Sequence, residues 1–227
     1  MLLAGKKGLV LNVTNKNSIG WAVAERVAAL GAEVGVGAQN EKMLDKVNEL
    51  IAGNDRMKSF VVDFSDDAQM EALAAAAKDA YGHLDFVVHS AAFAKREDLA
   101  GLEPILADDA SIVTMSYLGS VRAVGNYNVM GVAKAALESA VRYLANDLGE
   151  RGIRVNTVSP GPINTISARG VRGLTDMIKE VHDVAPLKRE FGQDEVAGTT
   201  AYLVSDLSKG VTGQLIYVDS GYNIMGI

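Results

Sequence analysis

The chain of 227 residues contains no cysteine and only three histidines, His83, His89 and His182, whose spacing matches no metal-ligand pattern. Disulfides and thiolate metal sites are therefore excluded, and we expect no metal site. The absence of cysteine also suits a reducing environment, so we expect a cytoplasmic protein. Acidic residues outnumber basic ones, 28 against 22, whereas a nucleic-acid-binding surface shows the opposite balance. We therefore expect no nucleic-acid partner.

Long hydrophobic runs are also missing. Apolar stretches such as 86–88 and 215–218 are only strand-length and end at polar residues, so no membrane span is predicted. Segment 1–7 carries two lysines without a following apolar core, so we expect no signal peptide. With 48% hydrophobic and 22% charged residues, the composition is that of an ordinary globular protein, and the length fits one α/β domain.

Short β-branched runs alternate along the chain with helical stretches. The predicted strands are 8–13, 33–37, 59–63, 84–89, 111–116, 153–159 and 214–219. Several are apolar at consecutive positions, a pattern typical of parallel strands covered on both faces. After the first strand, Val23, Val27 and Leu30 share a helical face that ends at Gly31. We predict a single Rossmann-type domain over residues 1–227, with a doubly wound parallel sheet of about seven strands and helices on both faces.

The segment between the first strand and the first helix, 12–20, lies where a Rossmann domain binds the pyrophosphate of a dinucleotide. The glycine pattern G-x-G-x-x-G is absent and only Gly20 remains. The motif alone therefore fits a polar loop that caps a helix equally well. Its position directly after the first strand favours the cofactor interpretation.

Two residues that end strands are candidates for binding the adenosine half of the cofactor. Gln39 ends the second strand and can hydrogen-bond a ribose 2′-hydroxyl. Only Lys42 lies nearby to pair with a 2′-phosphate, so NADH is favoured over NADPH. Asp63 ends the third strand and has two open interpretations. It can accept from the adenine amino group, or it can cap the loop at residues 65–67.

Tyr127 and Lys134 are the candidates for the chemistry. Seven residues apart in a helical run, they are predicted to lie on nearly the same face, two turns apart. Such a lysine can hold ribose hydroxyls and favour charge on the tyrosine oxygen, and the tyrosine can hydrogen-bond a carbonyl oxygen that gains charge. Isolated Tyr/Lys pairs also occur in ordinary helix packing. Tyr117, at the carboxyl end of a predicted strand, favours the catalytic interpretation.

Several segments together carry a resemblance to a known family, namely 88–94, 116–120, 126–134, 159–165, 206–208 and 211–213. These segments resemble the bacterial NADH-dependent enoyl-acyl-carrier-protein reductases of the short-chain dehydrogenase/reductase superfamily. The resemblance extends over nearly the whole length of the chain. The ketoreductase branch of that superfamily has three residues between the tyrosine and the lysine. Six separate them here, and Gly131 stands at the ketoreductase lysine position.

The resemblance implies hydride transfer from NADH to C3 of a trans-2-enoyl thioester and protonation at C2, in fatty acid biosynthesis. It implies Tyr127 as the donor to the enolate oxygen, Lys134 as the ribose-binding lysine and Tyr117 as a second tyrosine of the substrate pocket. It also implies an acyl-carrier-protein-linked substrate and a homo-oligomer, a tetramer or a dimer. A substrate contact is implied at Ala94. Cofactor contacts are implied at Ser18, Ile19, Gln39, Asp63, Phe64 and Ala91, and over the nicotinamide at Ile163, Asn164, Thr165, Ile166 and Ser167, before a mobile substrate loop that runs through Leu174.

The chain departs from the family pattern at the pyrophosphate turn and at a docking helix. Asn12 stands where the family has glycine, at the start of the turn. Asparagine tolerates positive φ, but its side chain can obstruct close approach of the cofactor. Thr175 and Asp176 lie in a helix that is often basic in the family, where the acidic carrier protein docks. Arg169, Arg172 and Lys179 remain nearby.

A third departure is the crossover 94–110, which has 17 residues and is short for a connection that includes a helix. Relative to the family it lacks one long helix between Leu99 and Ser111, which in the family shields the sheet, walls the cofactor site and contributes to a subunit interface. An omitted segment, deliberate shortening and natural truncation each account for this. A real deletion predicts an exposed apolar strip on the sheet and lower stability, and Pro104 limits segment 98–106 to a short helix.

Two alternative functions remain open. The chain can be an inactive nucleotide-binding relative with the same fold, or a carbonyl-reducing dehydrogenase.

Overall fold

The computed structural model describes residues 1–90, 101–166, 168, 173–189 and 191–226. Its strands are β1 (Lys7–Leu11), β2 (Glu33–Ala38), β3 (Met57–Val61), β4 (Leu84–His89), β5 (Leu106–Met115), β6 (Arg154–Pro160) and β7 (Leu215–Val218). They form one sheet in the order β3-β2-β1-β4-β5-β6-β7, and every pairing is parallel. The predicted doubly wound parallel sheet is therefore confirmed.

Strands β1, β3 and β5 differ from the prediction by two residues or more, and β3 spans Met57–Val61 instead of 59–63. β1 ends at Leu11 instead of residue 13, because Asn12 has a φ of 64° that no strand can continue. β5 begins at Leu106, five residues before the predicted start, and its register against β4 shifts between Leu84 and Phe86. Asp109, with a φ of 63°, lies within this irregular beginning of β5.

Six α-helices are found in the described part of the chain, α1 (Ile19–Ala29), α2 (Glu41–Ile51), α3 (Asp67–Tyr81), α4 (Val129–Asp147), α5 (Leu174–Val184) and α6 (Gln193–Leu203). Helices α1, α2 and α6 contribute apolar side chains to the core on one face of the sheet. Helices α3 and α4 contribute to the core on the other face. Both faces are covered, which explains why the strands are apolar at consecutive positions.

Helix α1 ends as predicted, but it begins at Ile19, within the segment 12–20 that was predicted to precede it. Ser18 caps it, since its Oγ accepts from the Trp21 N–H at 3.1 Å, and Val23 and Val27 are fully buried. The chain leaves the helix at Gly31, whose φ of 107° favours glycine.

The exposed apolar strip predicted on the sheet is wrong for the residues that the structure describes. The side chains on that face of the central strands, Leu9, Leu11, Val87 and Ile112, are at most 1% exposed. Leu102 and Ile105 pack in the same core cluster and help to cover them. Ile105 ends a short 3₁₀ helix, Glu103–Ile105, which contains Pro104 as predicted. Exposed apolar side chains include Val129, Val132 and Tyr143 on α4, and others lie outside it, such as Leu207 and Ile224.

The ends of β1 and β4 define a crevice in the sheet. These strands are neighbours, but β2 and β3 extend to one side and β5, β6 and β7 to the other. Doubly wound folds bind ligands at such a point, outside the carboxyl ends of the strands. Asn12 follows β1 and Ser90 follows β4, and Asn12 Nδ2 donates to the Ser90 carbonyl oxygen at 3.4 Å. The side chain of Asn12 therefore crosses the crevice.

Candidate active site

A cavity of about 540 Å³ lies at the carboxyl ends of the central strands, a volume typical of small-molecule sites. The predicted site residues that line it are Asn12, Ser18, Ile19, Tyr117, Tyr127, Lys134, Ile163 and Thr165. They come from positions up to 153 residues apart in the chain, from Asn12 to Thr165. The fold therefore brings the predicted phosphate turn and the predicted chemical residues to one place.

Other predicted residues lie elsewhere. Gln39, Asp63 and Phe64 follow β2 and β3 at the same edge of the sheet but are not among the residues that line this cavity. Gln39, Asn164 and Ile166 are exposed. Ala91, Ala94 and Ser167, which were also predicted to contact cofactor or substrate, lie outside the described residues.

Two interpretations of Asp63 were left open, and the structure shows the contacts of a loop cap. The Asp63 Oδ1 accepts from the Ser65 N–H at 2.9 Å and from the Ser65 hydroxyl at 2.7 Å. These hydrogen bonds stabilise the carboxylate, so they lower the pKa of Asp63. The neighbouring Phe64 ring lies 4.8 Å from the ring of His89, a buried residue at the end of β4.

The predicted placement of Tyr127 within a helix is wrong. Helix α4 begins only at Val129, and Tyr127 lies in the turn before it. Asn126 and Asn128, on either side of the tyrosine, have φ values of 62° and 44°. Asparagine tolerates these values, but they interrupt a helix, so the predicted two-turn separation from Lys134 does not apply. Both side chains nevertheless line the cavity.

The ring of Tyr127 packs directly on Gly119. A Cβ atom at position 119 would lie 2.4 Å from Tyr127 Cδ1, and one at position 131 would lie 2.6 Å from the Gly119 carbonyl oxygen. The backbone of α4 thus lies against Gly119 at the position where ketoreductases carry their lysine. The ring of Tyr117 also packs against that of Tyr127, at a centroid distance of 4.9 Å.

Lys134 is 5% exposed, and its Nζ donates to the Met115 carbonyl oxygen at 2.6 Å. Burial lowers the pKa of Lys134 to about 8, and the Glu138 carboxylate opposes this effect. Burial raises the pKa of Tyr127 to about 12. Burial, followed by the neighbouring Tyr127, also raises the pKa of Tyr117. Burial is the effect that shifts the pKa of Tyr127, so the tyrosine is a neutral donor at neutral pH.

The donor groups of the cavity suit a dinucleotide. The N-terminus of α1, capped by Ser18, directs a positive dipole end toward the cavity. The hydrogen bond to Met115 uses one of the three N–H donors of Lys134, which is buried at the wall of the same cavity. Among the described residues, no group of histidine and acidic side chains could hold a metal ion, and no helix is long and apolar enough to cross a bilayer.

Sequence reasoning missed several residues at and beside the cavity, and three of them make side-chain hydrogen bonds that shape the site. Met177 on α5 accepts a hydrogen bond from the Tyr117 hydroxyl, at 2.9 Å from oxygen to Sδ. Ser116 donates through Oγ to Oε1 of Glu138, and both residues are buried. The sequence did contain a signal for Glu138. This acidic residue stands one turn after Lys134, between the apolar residues Leu137 and Val141 of the buried face of the helix.

Comparison with known proteins agrees with this site. The family model described as enoyl-(acyl carrier protein) reductase matches residues 13–104 and 98–223. The chain is 41% identical to the NADH-dependent enoyl-acyl-carrier-protein reductase FabI of Nostoc sp. and 39% identical to that of Bacillus cereus. The Nostoc alignment covers 99% of both chains.

Solved structures give the same result. The Bacillus cereus reductase, in complex with NADP+ and indole naphthyridinone, superposes with a TM-score of 0.94 at 37% identity, covering 100% of this chain and 99% of that one. The Anaplasma phagocytophilum reductase in complex with NAD has a TM-score of 0.92 at 35% identity, covering 100% of this chain and 97% of that one.

The comparisons also locate the short crossover. The Nostoc alignment spans 255 positions, more than the 227 residues of this chain, so the relative contains residues that this chain lacks. The two matches to the family model meet at residues 98–104, inside the crossover. The family model, the full-length identities and the superposed structures together show that the chain belongs to the NADH-dependent enoyl-acyl-carrier-protein reductases.

Proposed function

We propose that this chain catalyses the NADH-dependent reduction of trans-2-enoyl thioesters carried by acyl carrier protein. The observation that carries the proposal is the convergence of Tyr117, Tyr127 and Lys134 on one cavity beside the phosphate turn. The names of the relatives support NADH as the reductant and an enoyl-acyl-carrier-protein as the substrate. A single sheet that contains every described strand supports one domain for the whole chain.

Bound at this site, the nicotinamide supplies a hydride to C3 of the enoyl group. The N-terminus of α1, together with Ser18, Ile19 and the backbone of Asn12, holds the pyrophosphate, and the Asn12 side chain limits how closely the cofactor approaches. Lys134 donates to the ribose hydroxyls. The proposed adenosine contacts are Gln39, Asp63, Phe64 and Ala91, and the proposed nicotinamide contacts are the residues of segment 163–167.

Tyr127 acts on the thioester oxygen. Its neutral hydroxyl donates a hydrogen bond to the carbonyl oxygen, which becomes an enolate oxygen as C3 is reduced. Because Gly119 and Tyr117 both pack against the ring, they restrict where the donor hydroxyl lies before the substrate binds. The proposed contacts of the acyl group are Tyr117, Met177 and Ala94.

Turnover of NADH with a short trans-2-enoyl thioester, followed by absorbance at 340 nm, tests the proposal. Tyr127→Phe removes the donor and should lower kcat roughly 100- to 1000-fold. Tyr202→Phe is the matched control, because this tyrosine is exposed on α6 and does not line the cavity, and its kcat should equal that of the unmodified protein. A folded protein that oxidises no NADH contradicts the proposal.

Two alternatives predict different outcomes of the same assay. Asn12 in the crevice and the short crossover favour a nucleotide-binding relative without activity, which would bind NADH without turnover. A carbonyl-reducing dehydrogenase would reduce a 3-ketoacyl thioester instead. The contact of Gly131 with Gly119 argues against it, because no lysine fits at position 131.

We also propose that the chain works as a homo-oligomer in the cytoplasm, without nucleic-acid or membrane partners. Val129, Val132 and Tyr143 are 67–74% exposed along one helix, and such apolar surface is typical of protein interfaces. Light scattering of the purified protein measures its mass directly.

For the carrier protein, exposed Asp176 adds negative charge to α5, so docking depends on Lys179 and on the arginines at 169 and 172, which lie outside the described residues.

A further inference from the structure

Glu138 is a buried acidic residue that takes no part in the chemistry proposed above. It lies on α4, one turn after Lys134, and is 6% exposed. A buried carboxylate costs free energy unless hydrogen bonds and an opposite charge compensate it. Ser116 supplies a hydrogen bond through its Oγ, and Lys134 supplies the positive charge.

Two hydrogen bonds attach α4 to the end of β5 at adjacent residues. Lys134 Nζ donates to the carbonyl oxygen of Met115, the last residue of β5, and the Ser116 hydroxyl donates to Glu138. Tyr117 is the next residue in the chain, and it lines the cavity. The position of Tyr117 therefore depends on both attachments.

The other groups that face this pair are uncharged at neutral pH. They are His89 on β4, which faces Lys134, and Tyr217 on β7, which faces Glu138. Burial, aided by the charge of Lys134, lowers the pKa of His89 to about 4, and burial raises the pKa of Tyr217. The charged residues Asp219 and Arg122 face Tyr217. Within the described part of the chain, Glu138 thus supplies the negative charge that balances Lys134.

We propose that Glu138 is a positioning residue for the reductase reaction, an inference that rests on the function proposed above. Its charge keeps the Lys134 side chain protonated for the cofactor ribose, and its hydrogen bond with Ser116 holds Tyr117 at the substrate cavity. Burial brings the pKa of Lys134 to about 8, close to neutral pH. Removal of the opposing charge therefore leaves a larger fraction of Lys134 as a neutral amine.

Direct titration of Lys134 by NMR, without cofactor or substrate, tests the electrostatic part. In protein labelled with ¹³C-lysine, the Lys134 signal is the one that Lys134→Met removes. We expect Glu138→Gln to lower the Lys134 pKa by roughly one unit or more, and Glu138→Asp, which keeps the charge, to stay near the unmodified protein. An unchanged pKa in Glu138→Gln overturns the proposal, whether or not the protein reduces enoyl thioesters.

NADH binding, followed by fluorescence, separates this role from a purely structural one. At pH 6 Glu138→Gln should bind NADH about as tightly as the unmodified protein, and at pH 8.5 about tenfold more weakly, as a shift of one pKa unit requires. Equal weakening at both pH values indicates structural damage and contradicts the proposal.

The link through Ser116 has its own test. Ser116→Ala removes the hydrogen bond but keeps the Glu138 charge, so kcat should fall while KM for NADH and its pH dependence stay unchanged. An unchanged kcat overturns this part, and Ser116→Ala supplies the test even where Glu138→Gln fails to fold. Loss of NADH turnover in the unmodified protein would instead contradict the proposed function, and the Lys134 titration would remain informative.

Discussion

Gly119→Ala tests whether ring packing sets the position of the catalytic tyrosine. The new Cβ atom would lie 2.4 Å from Tyr127 Cδ1 and 2.9 Å from Cε1, whereas carbon atoms in contact are separated by about 3.5–4.0 Å. The φ of Gly119 is not positive, so alanine adds no backbone strain and acts only through this clash. The Tyr127 ring must therefore move by about 1 Å, and its hydroxyl moves away from the position of the thioester oxygen.

A displacement of that size at a reacting group lowers the rate about 100-fold, or about 2.7 kcal/mol of transition-state stabilisation. We expect kcat to fall by this factor in the NADH assay while KM for NADH stays constant, because Lys134 is not touched. Overpacking should also lower the free energy of unfolding by about 1–3 kcal/mol in urea denaturation.

Gly125→Ala is the matched control. It lies in the same loop, a Cβ there meets nothing within 4 Å, and its φ is not positive. Its activity and stability should stay within about 0.5 kcal/mol of the unmodified protein. If Gly119→Ala turned over NADH as fast as Gly125→Ala, the packing of Gly119 against Tyr127 would not position the hydroxyl, and this reasoning would be refuted.

Two further substitutions have defined outcomes. Neither ring nitrogen of His89 has a hydrogen-bond partner in the described structure, and its pKa falls from 6.5 to about 4, so the unfolded chain binds a proton first as the pH drops. As the pH falls from 6.5 to 4, His89 therefore lowers the free energy of unfolding by about 3 kcal/mol. His89→Leu should remove this part of the decrease, which is measured as the difference between urea titrations at pH 7 and at pH 4.5. Asn12→Gly removes the hydrogen bond that crosses the crevice to Ser90 and should tighten NADH binding about fivefold by fluorescence titration. Unchanged or weaker binding would show that Asn12 does not obstruct the cofactor.

The sequence by itself determined the architecture, because the signals that specify it are local. Consecutive apolar residues in strands such as Leu84–His89 predict burial on both faces, and that requires a parallel sheet. Gly31 marks the end of α1, because its positive φ is a backbone requirement that depends only on neighbouring residues. The sequence also indicated eight of the residues that line the cavity, since residues after parallel strands meet at one edge.

The tertiary structure alone decided how the site is assembled. Asn126 and Asn128 place Tyr127 outside the helix that periodicity predicts, and Gly119 sets the position of its ring. The link between Ser116 and Glu138 joins residues 22 positions apart, and no local pattern specifies such a pairing. Leu102 and Ile105 cover a sheet face that the short crossover seemed to expose. In each case the deciding interaction is a contact between side chains or backbones that only the packed fold brings together, which is why periodicity and spacing could not predict it.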